Sequence, residues 1–500
     1  MNRFSATLHA QQAEATKLNA ANLPVRRDTS DGGRSLGMAV SGWASVKLGE
    51  LVEIKHGWPF KSEHFHEDLT GQPVVVSVGN FRYTGGFRFT ETSIKEYRDS
   101  YPKEYELAAG DMLLIMTCQT AGGEILGIPA RVPDDGRAYL HNQRLGKVVI
   151  RQGASVVPDF LYWLFLWHGF NRELVTSASG TKILHTAPSR IEAFRFDLPP
   201  KDEQRAIAHI LGTLDDKIEL NRQMNETLEA MVRALFKSWF VDFLPVRANM
   251  EARNRKARTQ TGDPVRTKAE RRSPGLPRHI ADRFPDSFED SELGEIPKGW
   301  RAAPFREAAV LYRDTVNPLD MPDAEFVHFS IPAYDEGGTP KCELGATIKS
   351  LKFRVPDDGI LFSKLNPAIE RVWLVDFPLK ATAVCSTEFL VFRARSPFTR
   401  AFVYSLSRSS NFRCAIQSSV TGTSNSHQRT QPDSVLSILS PLPSHHIIDA
   451  FEKIVAPLLL DIQIKNRESR TLAALRDTLL PKLISGELRL KATNNQLQSA

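Results

Sequence analysis

Five hundred residues exceed what one ordinary hydrophobic core organises, so roughly two to four domains are expected. With 41% hydrophobic and 24% charged residues and a formal charge of +6, wholesale disorder is excluded and contact with a polyanion is permitted. The longest apolar run, FLYWLFLW at 160–167, is too short for a bilayer span, and Cys118, Cys342, Cys385 and Cys414 form no CxxC pair, which leaves a cytoplasmic protein without a zinc ribbon or disulfide scaffold.

Residues 1–41 set Arg3, Arg26 and Arg27 against Glu14, Asp28 and Asp31, and lack the apolar core of a secretory signal. They read as a mobile extension. Residues 42–200 open on GWASVKLGEL and hold strand-like runs such as PVVVSVGNF between Gly, Pro and Asp turns, which predicts a compact α+β module. The run FLYWLFLW within it predicts a buried helix.

LPPKDEQ then starts a long helix over 201–243. Its stripe at alternating steps of four and three is Ile207, Leu211, Leu214, Ile218, Asn221, Asn225, Leu228, Val232, Leu235 and Trp239. Residues 244–292 are basic, without apolar periodicity, and read as a linker, either brushing DNA phosphates or simply solvated. A second module over 293–443 and a second helix over 444–490 follow, then a tail, 491–500.

A shift of 244 carries the first stripe onto Phe451, Val455, Leu458, Ile462, Lys465, Ser469, Leu472, Arg476, Leu479 and Leu483. The middle is polar again. SGWASVKLGEL matches KGWRAAPFREA, GDMLLI matches DGILFS, and SASGTK matches SVTGTS, so four landmarks recur in one order. The expected fold is α+β: two modules joined by two long antiparallel coiled-coil helices in an internal pseudo-twofold repeat. In that pairing Asn221 faces Ser469 and Asn225 faces Lys465, so the polar middle sets the register; alternatively, these residues sit at the edge of the stripe and stay solvated.

No GxxxxGK[ST] or GxGxxG is present, DLPPK departs from the Asx-Pro-Pro-aromatic signature of amino methyltransferases, and His64/His66 and His445/His446 have no third metal ligand at a useful spacing. No catalytic or metal residue is assigned. Groups suited to reading base edges are plentiful. In the first module they are Arg82, Tyr83, Arg88, Thr117, Gln119, Thr120, Asn142, Gln143, Arg144, Thr181, Lys182 and His185. In the second they are Ser363, Lys364, Asn366, Arg371, Ser386, Thr387, Thr423, His427 and Arg429.

With LPPKDEQRAIAHILGTLDDKIELNRQMNETLEAM, GEIPKGW, STEFLVFR and the terminal LLPKLISGEL in view, the chain resembles the specificity (S) subunit of type I restriction-modification enzymes over about residues 42–490. The resemblance implies two target-recognition domains reading the halves of a gapped double-stranded DNA site, with the helix pair setting the gap. It implies as partners two methyltransferase subunits and the restriction/translocase subunits, with S-adenosylmethionine, ATP and Mg carried by those partners and none in this chain. PLPSHHIIDAF departs from the pattern, because Glu203 and Gln204 have no counterpart there. A single-chain methyltransferase or nuclease, and an assembly scaffold that reads no DNA, are the competing functions.

Overall fold

The computed structural model describes residues 42–89, 93–120, 122–180, 183–260, 276–376, 382–418 and 428–490. The chain is α+β and divides into two compact units, one running to Ala208 and resuming at Pro481, the other His209–Leu480. No described helix is long and apolar enough to cross a membrane.

In the first unit, β1 (Val52–His56), β2 (Met112–Ile115), β3 (Pro129–Arg131) and β4 (Leu145–Ile150) form an antiparallel sheet in the order β1-β4-β2-β3. All four residues of β2 are buried, as a strand covered on both faces requires. A five-stranded sheet is centred on the parallel pair Val74–Val76 and Tyr139–His141. The run 160–167 is indeed helical over Pro158–Leu166, with Phe160, Leu161 and Leu164 inaccessible. A two-stranded pair, Ala44–Lys47 with Arg195–Leu198, leads into the long helix α1 (Lys201–Phe240).

The start of α1 is tightly specified. Pro199 and Pro200 precede it, and Asp202 and Glu203 complement the positive end of its dipole. Gln204 accepts from the Val157 amide (2.7 Å) and donates to the carbonyls of Ser155 (3.1 Å) and Pro199 (2.8 Å). Glu203 accepts from the Trp43 indole (2.9 Å), from Arg489 (2.9 and 3.0 Å) and from the Leu490 amide (3.2 Å). Burial pushes the Glu203 carboxyl up, yet these donors outweigh it and hold it below the usual glutamate range. A depressed folded-state value means that the stabilisation is complete above the unfolded value and is lost as pH falls through the folded one. In urea titrations the gap between wild type and Glu203→Gln is therefore widest at neutral pH and narrows below about pH 4.5.

In the second unit, β5 (Ala309–Tyr312), β6 (Ile360–Ser363), β7 (Val372–Leu374) and β8 (Phe389–Ala394) are ordered β5-β8-β6-β7, the sequence of connections seen in the first sheet. Its five-stranded sheet also holds one parallel pair, Glu325–Phe329 with Thr382–Cys385, and the pair Arg301–Pro304 with Leu439–Leu442 leads into the second long helix. At the shift of 244, Ile447 stands where Glu203 stands, and it is inaccessible. The Trp300 indole N–H is accordingly buried with no partner among the described residues. Trp43→Phe, which deprives a buried carboxylate of a donor, should destabilise by about 1.5 to 3 kcal/mol more than Trp300→Phe, as chemical denaturation of the two variants can measure.

The segment read as a linker is more structured than expected. It contains α2 (Leu244–Gln260), the turn Arg278–Ala281 and the strand Phe288–Ser291, which pairs with Gly294–Pro297 just beyond it. Three widely spaced apolar anchors, Val246, Ile280 and Phe284, join the core, and Asn249 donates to the carbonyls of Ala281 (2.9 Å) and Phe284 (3.0 Å). Such sparse anchors leave no periodicity to read. Phe243, between α1 and α2, adopts φ 54°, costing about 1–2 kcal/mol, and its ring packs on Trp300 at 5.6 Å.

Within the module lies α3 (Arg400–Ser407), and after the two-stranded pair comes α4 (His445–Ile484), the second long helix. The unit boundaries fall inside α1 and α4. Every stripe residue on both helices is buried or half-buried, none exposed. Within the second unit the partners run in opposite sequence order: Asp215 pairs with Arg476 (2.5 Å), Asn221 donates to Glu468 (2.9 Å) and Ser469 (3.3 Å), and Trp239 stacks edge-on against Phe451 (5.8 Å). Asn225, expected opposite Lys465, donates instead to Asn466 (2.8 Å). Lys465 stays half-buried on the stripe while Asn466 is exposed, so the Asn225 amide reaches past the seam to its flank. Asn221 is wholly inaccessible rather than wet at an edge.

Candidate DNA interface

In the first module the structure gathers candidate base-reading groups from three chain segments. The turn Asn142–Arg144 precedes β4; Asn142 closes it by accepting from the Arg144 amide (3.1 Å), and Gln143 N–H donates to the Trp58 carbonyl (3.0 Å). Gly57 permits this approach, since a Cβ there would lie 2.2 Å from the Asn142 carbonyl. The Met116 amide donates to Arg144 (3.0 Å), while the Thr186 amide donates to Met116 (2.9 Å), so the turn, the strand Thr117–Cys118 and the strand Leu184–His185 lie together. Gln119, Thr120, Gln143, Arg144 and His185 are exposed there.

Thr117, also expected to read bases, is buried with its hydroxyl 3.0 Å from His185 Nδ1. It orients the imidazole instead. Thr120 donates to Glu124, which this bond holds below the usual glutamate range. Arg82, Tyr83 and Arg88 lie on a separate hairpin closed by Phe81 and Phe87, where Gly86 N–H donates to Pro129 (3.0 Å). Tyr83 and Arg88 are exposed.

The second module repeats the backbone arrangement with different side chains. The Lys364 amide donates to the Glu388 carbonyl (3.0 Å) and the Thr430 amide to Lys364 (3.0 Å), just as Met116 joins Arg144 and Thr186. Asn366 takes φ 47° and donates from its amide to Gln428 (2.9 Å); Leu365 bridges to Arg429. Lys364, Asn366, Ser386, Thr387 and exposed Arg429 therefore come together.

Two expected readers are corrected here. Ser363 is buried and donates to the Leu365 carbonyl (3.1 Å), and Arg371 is buried in a bidentate pair with Asp335 (2.7 and 2.9 Å). Neither has a free edge for a base: Ser363 is the buried last residue of β6, and Arg371, just before β7, is held by Asp335. Thr181, Lys182, Thr423 and His427 lie outside the described residues.

One group escaped the sequence reading. Glu388 occupies the place that Arg144 holds in the first module, and Arg429 the place of His185. Arg429 forks onto Glu388 (3.0 and 3.1 Å), which strengthens its hold on the proton. Its signal in the sequence is the glutamate within STEF, beside the hydroxyl residues Ser386 and Thr387. Arg144 presents only donors and Glu388 only acceptors, so equivalent places in the two turns carry opposite hydrogen-bonding chemistry.

Residues 40–230 match the family described as the type I restriction modification DNA specificity domain. The HindI specificity subunit of the type I restriction enzyme of Haemophilus influenzae is 27% identical over 390 residues, covering 68% of this chain and 80% of that protein. The MjaIX specificity subunit from Methanocaldococcus jannaschii is 26% identical over 354 residues, covering 70% and 73%. A crystal structure of the type I S subunit from M. genitalium aligns with a TM-score of 0.47 at 13% identity, over 90% of this chain and 98% of that one. Residues 40–230 thus match the type I restriction modification DNA specificity domain, and about two thirds of the chain is similar to the specificity subunits of type I restriction enzymes.

Proposed function

We propose that the chain reads a bipartite DNA site, one half with the turn around Arg144 and the other with the turn around Glu388, and that α1 and α4 act as an antiparallel coiled coil that sets the gap. The observation that carries this is the recurrence of one backbone scaffold with different side chains at its tip, Arg144 and His185 against Glu388 and Arg429. A duplicated scaffold with unlike tips suits a split, asymmetric target. Forty residues of helix extend about 60 Å, and sliding the pair by a heptad would set Asn221 against Ile462 or Arg476, at about 1–3 kcal/mol for an unmet polar group. The polar middle thereby fixes one register.

The same helices offer a docking face. Leu220, Met224 and Met231 on α1 and Ile464 and Leu475 on α4 are 40–51% exposed, and Lys217 pairs with Glu468 (3.5 Å) on that flank. Aligned apolar groups on a helix pair suit the addition of partner helices. Methyltransferase subunits bringing S-adenosylmethionine, and restriction subunits bringing ATP and Mg, fit this scaffold role; the chain itself recognises and does not catalyse. Sequencing methylated adenines in host DNA with and without the gene should reveal one gapped motif that disappears on deletion. A continuous motif, or unchanged methylation, contradicts the reading.

A further inference from the structure

Edge strand β7 of the second module carries an acid just before it and another just after it, and each is held by a different long helix. Glu370 takes a bidentate pair from Arg233 of α1 (2.6 and 3.1 Å) and a second guanidinium from Arg408 at the end of α3 (2.7 Å). Arg408 also joins Glu229 of α1 and has only 10% of its side chain exposed. At the other end, Asp376, 8% exposed, accepts from Arg467 (2.7 Å) and Arg470 (3.0 Å) of α4. Isolated surface ion pairs contribute little, but bidentate, part-buried networks hold an orientation.

The loop that ends at Glu370 is the one that begins with Lys364 and Asn366. Arg413 pins its middle through the Ala368 carbonyl (2.8 Å). We infer that Glu370 and Asp376 are positioning residues: Glu370 ties the end of the second reading loop to α1, and Asp376 ties the far end of the strand that follows the loop to α4, so that loop placement and gap length are set by one ionic clamp. The inference rests on the bipartite reading proposed above. Burial alone does not require this arrangement, because β7 already has its sheet partner β6 and its apolar core contacts. Charged pairs at both ends of one short strand, to two different helices, add direction instead.

The test uses the complex of this chain with its methyltransferase subunits and a panel of duplexes altered at single bases in either half or in gap length by one base pair. Arg233→Ala and the double variant Arg467→Ala/Arg470→Ala should each lower discrimination at the second half by about tenfold, a change typical of one poorly read base pair, and should raise methylation of sites with the altered gap. Arg233→Lys, which keeps charge but loses the fork, should fall between. Discrimination at the first half should not change. Unaltered second-half discrimination and gap preference in folded variants, or an equal loss in both halves, overturns the clamp. A wild-type complex that distinguishes neither half overturns the bipartite reading itself, so the two failures are distinct.

Discussion

Trp239→Ala should lower the stability of the second unit by about 3–5 kcal/mol, the range for removing a fully buried large aromatic. Trp239 is inaccessible and meets Phe240, Phe284 and Phe451 at 6.0, 5.0 and 5.8 Å, so its loss opens a cavity where α1, α4 and the segment after α2 converge. Domains are typically stable by only about 5–15 kcal/mol, so a substitution of this size consumes a large part of the margin. Urea unfolding followed by far-ultraviolet circular dichroism measures it. A loss below about 1 kcal/mol would mean that the helix ends are not packed as described.

The second large effect concerns recognition rather than stability. Arg144→Ala should weaken discrimination at one base pair of one half-site by about 1–3 kcal/mol, and Glu388→Ala should do the same in the other half. Because Arg144 is exposed, its removal leaves the core intact. Glu388→Ala releases Arg429, which then offers all its donors to DNA; general affinity rises as selectivity falls, and the salt dependence of binding steepens. Equilibrium binding of the assembled complex to single-base variants, repeated at two salt concentrations, separates these effects. Loss of discrimination in the same half for both variants would contradict the assignment.

The long helices were legible because their apolar spacing persists for ten positions and Pro199–Pro200 marks a start. The Asn221–Ser469 contact follows from spacing alone. Asn225 illustrates the limit: its hydrogen-bond partner is the exposed neighbour of the expected residue, since spacing fixes which positions face each other but not where a side-chain amide finds its acceptor.

Local chemistry proved harder to read than periodicity. α2 passed for a tether because it is anchored by Val246 and by contacts to residues some thirty positions away, including Asn249 with Phe284. Ser363 and Arg371 resembled base readers by type, but burial and Asp335 claim them, and type carries no information on which way a strand faces. Glu388 is equivalent to Arg144 through backbone hydrogen bonds alone, and residue type carries no trace of that equivalence.

The most direct test of the spacer lengthens it without disturbing its register. Duplicating Leu220–Glu226 in α1 and Ile464–Arg470 in α4 adds one heptad to each helix and leaves every polar middle residue matched by a copy of its partner. Seven residues add about 10 Å at 1.5 Å each, equivalent to about three base pairs at 3.4 Å. Sequencing the methylated adenines laid down by the complex should then give the same two half-sites separated by a gap about three base pairs longer. The same half-sites at the original gap would contradict the account.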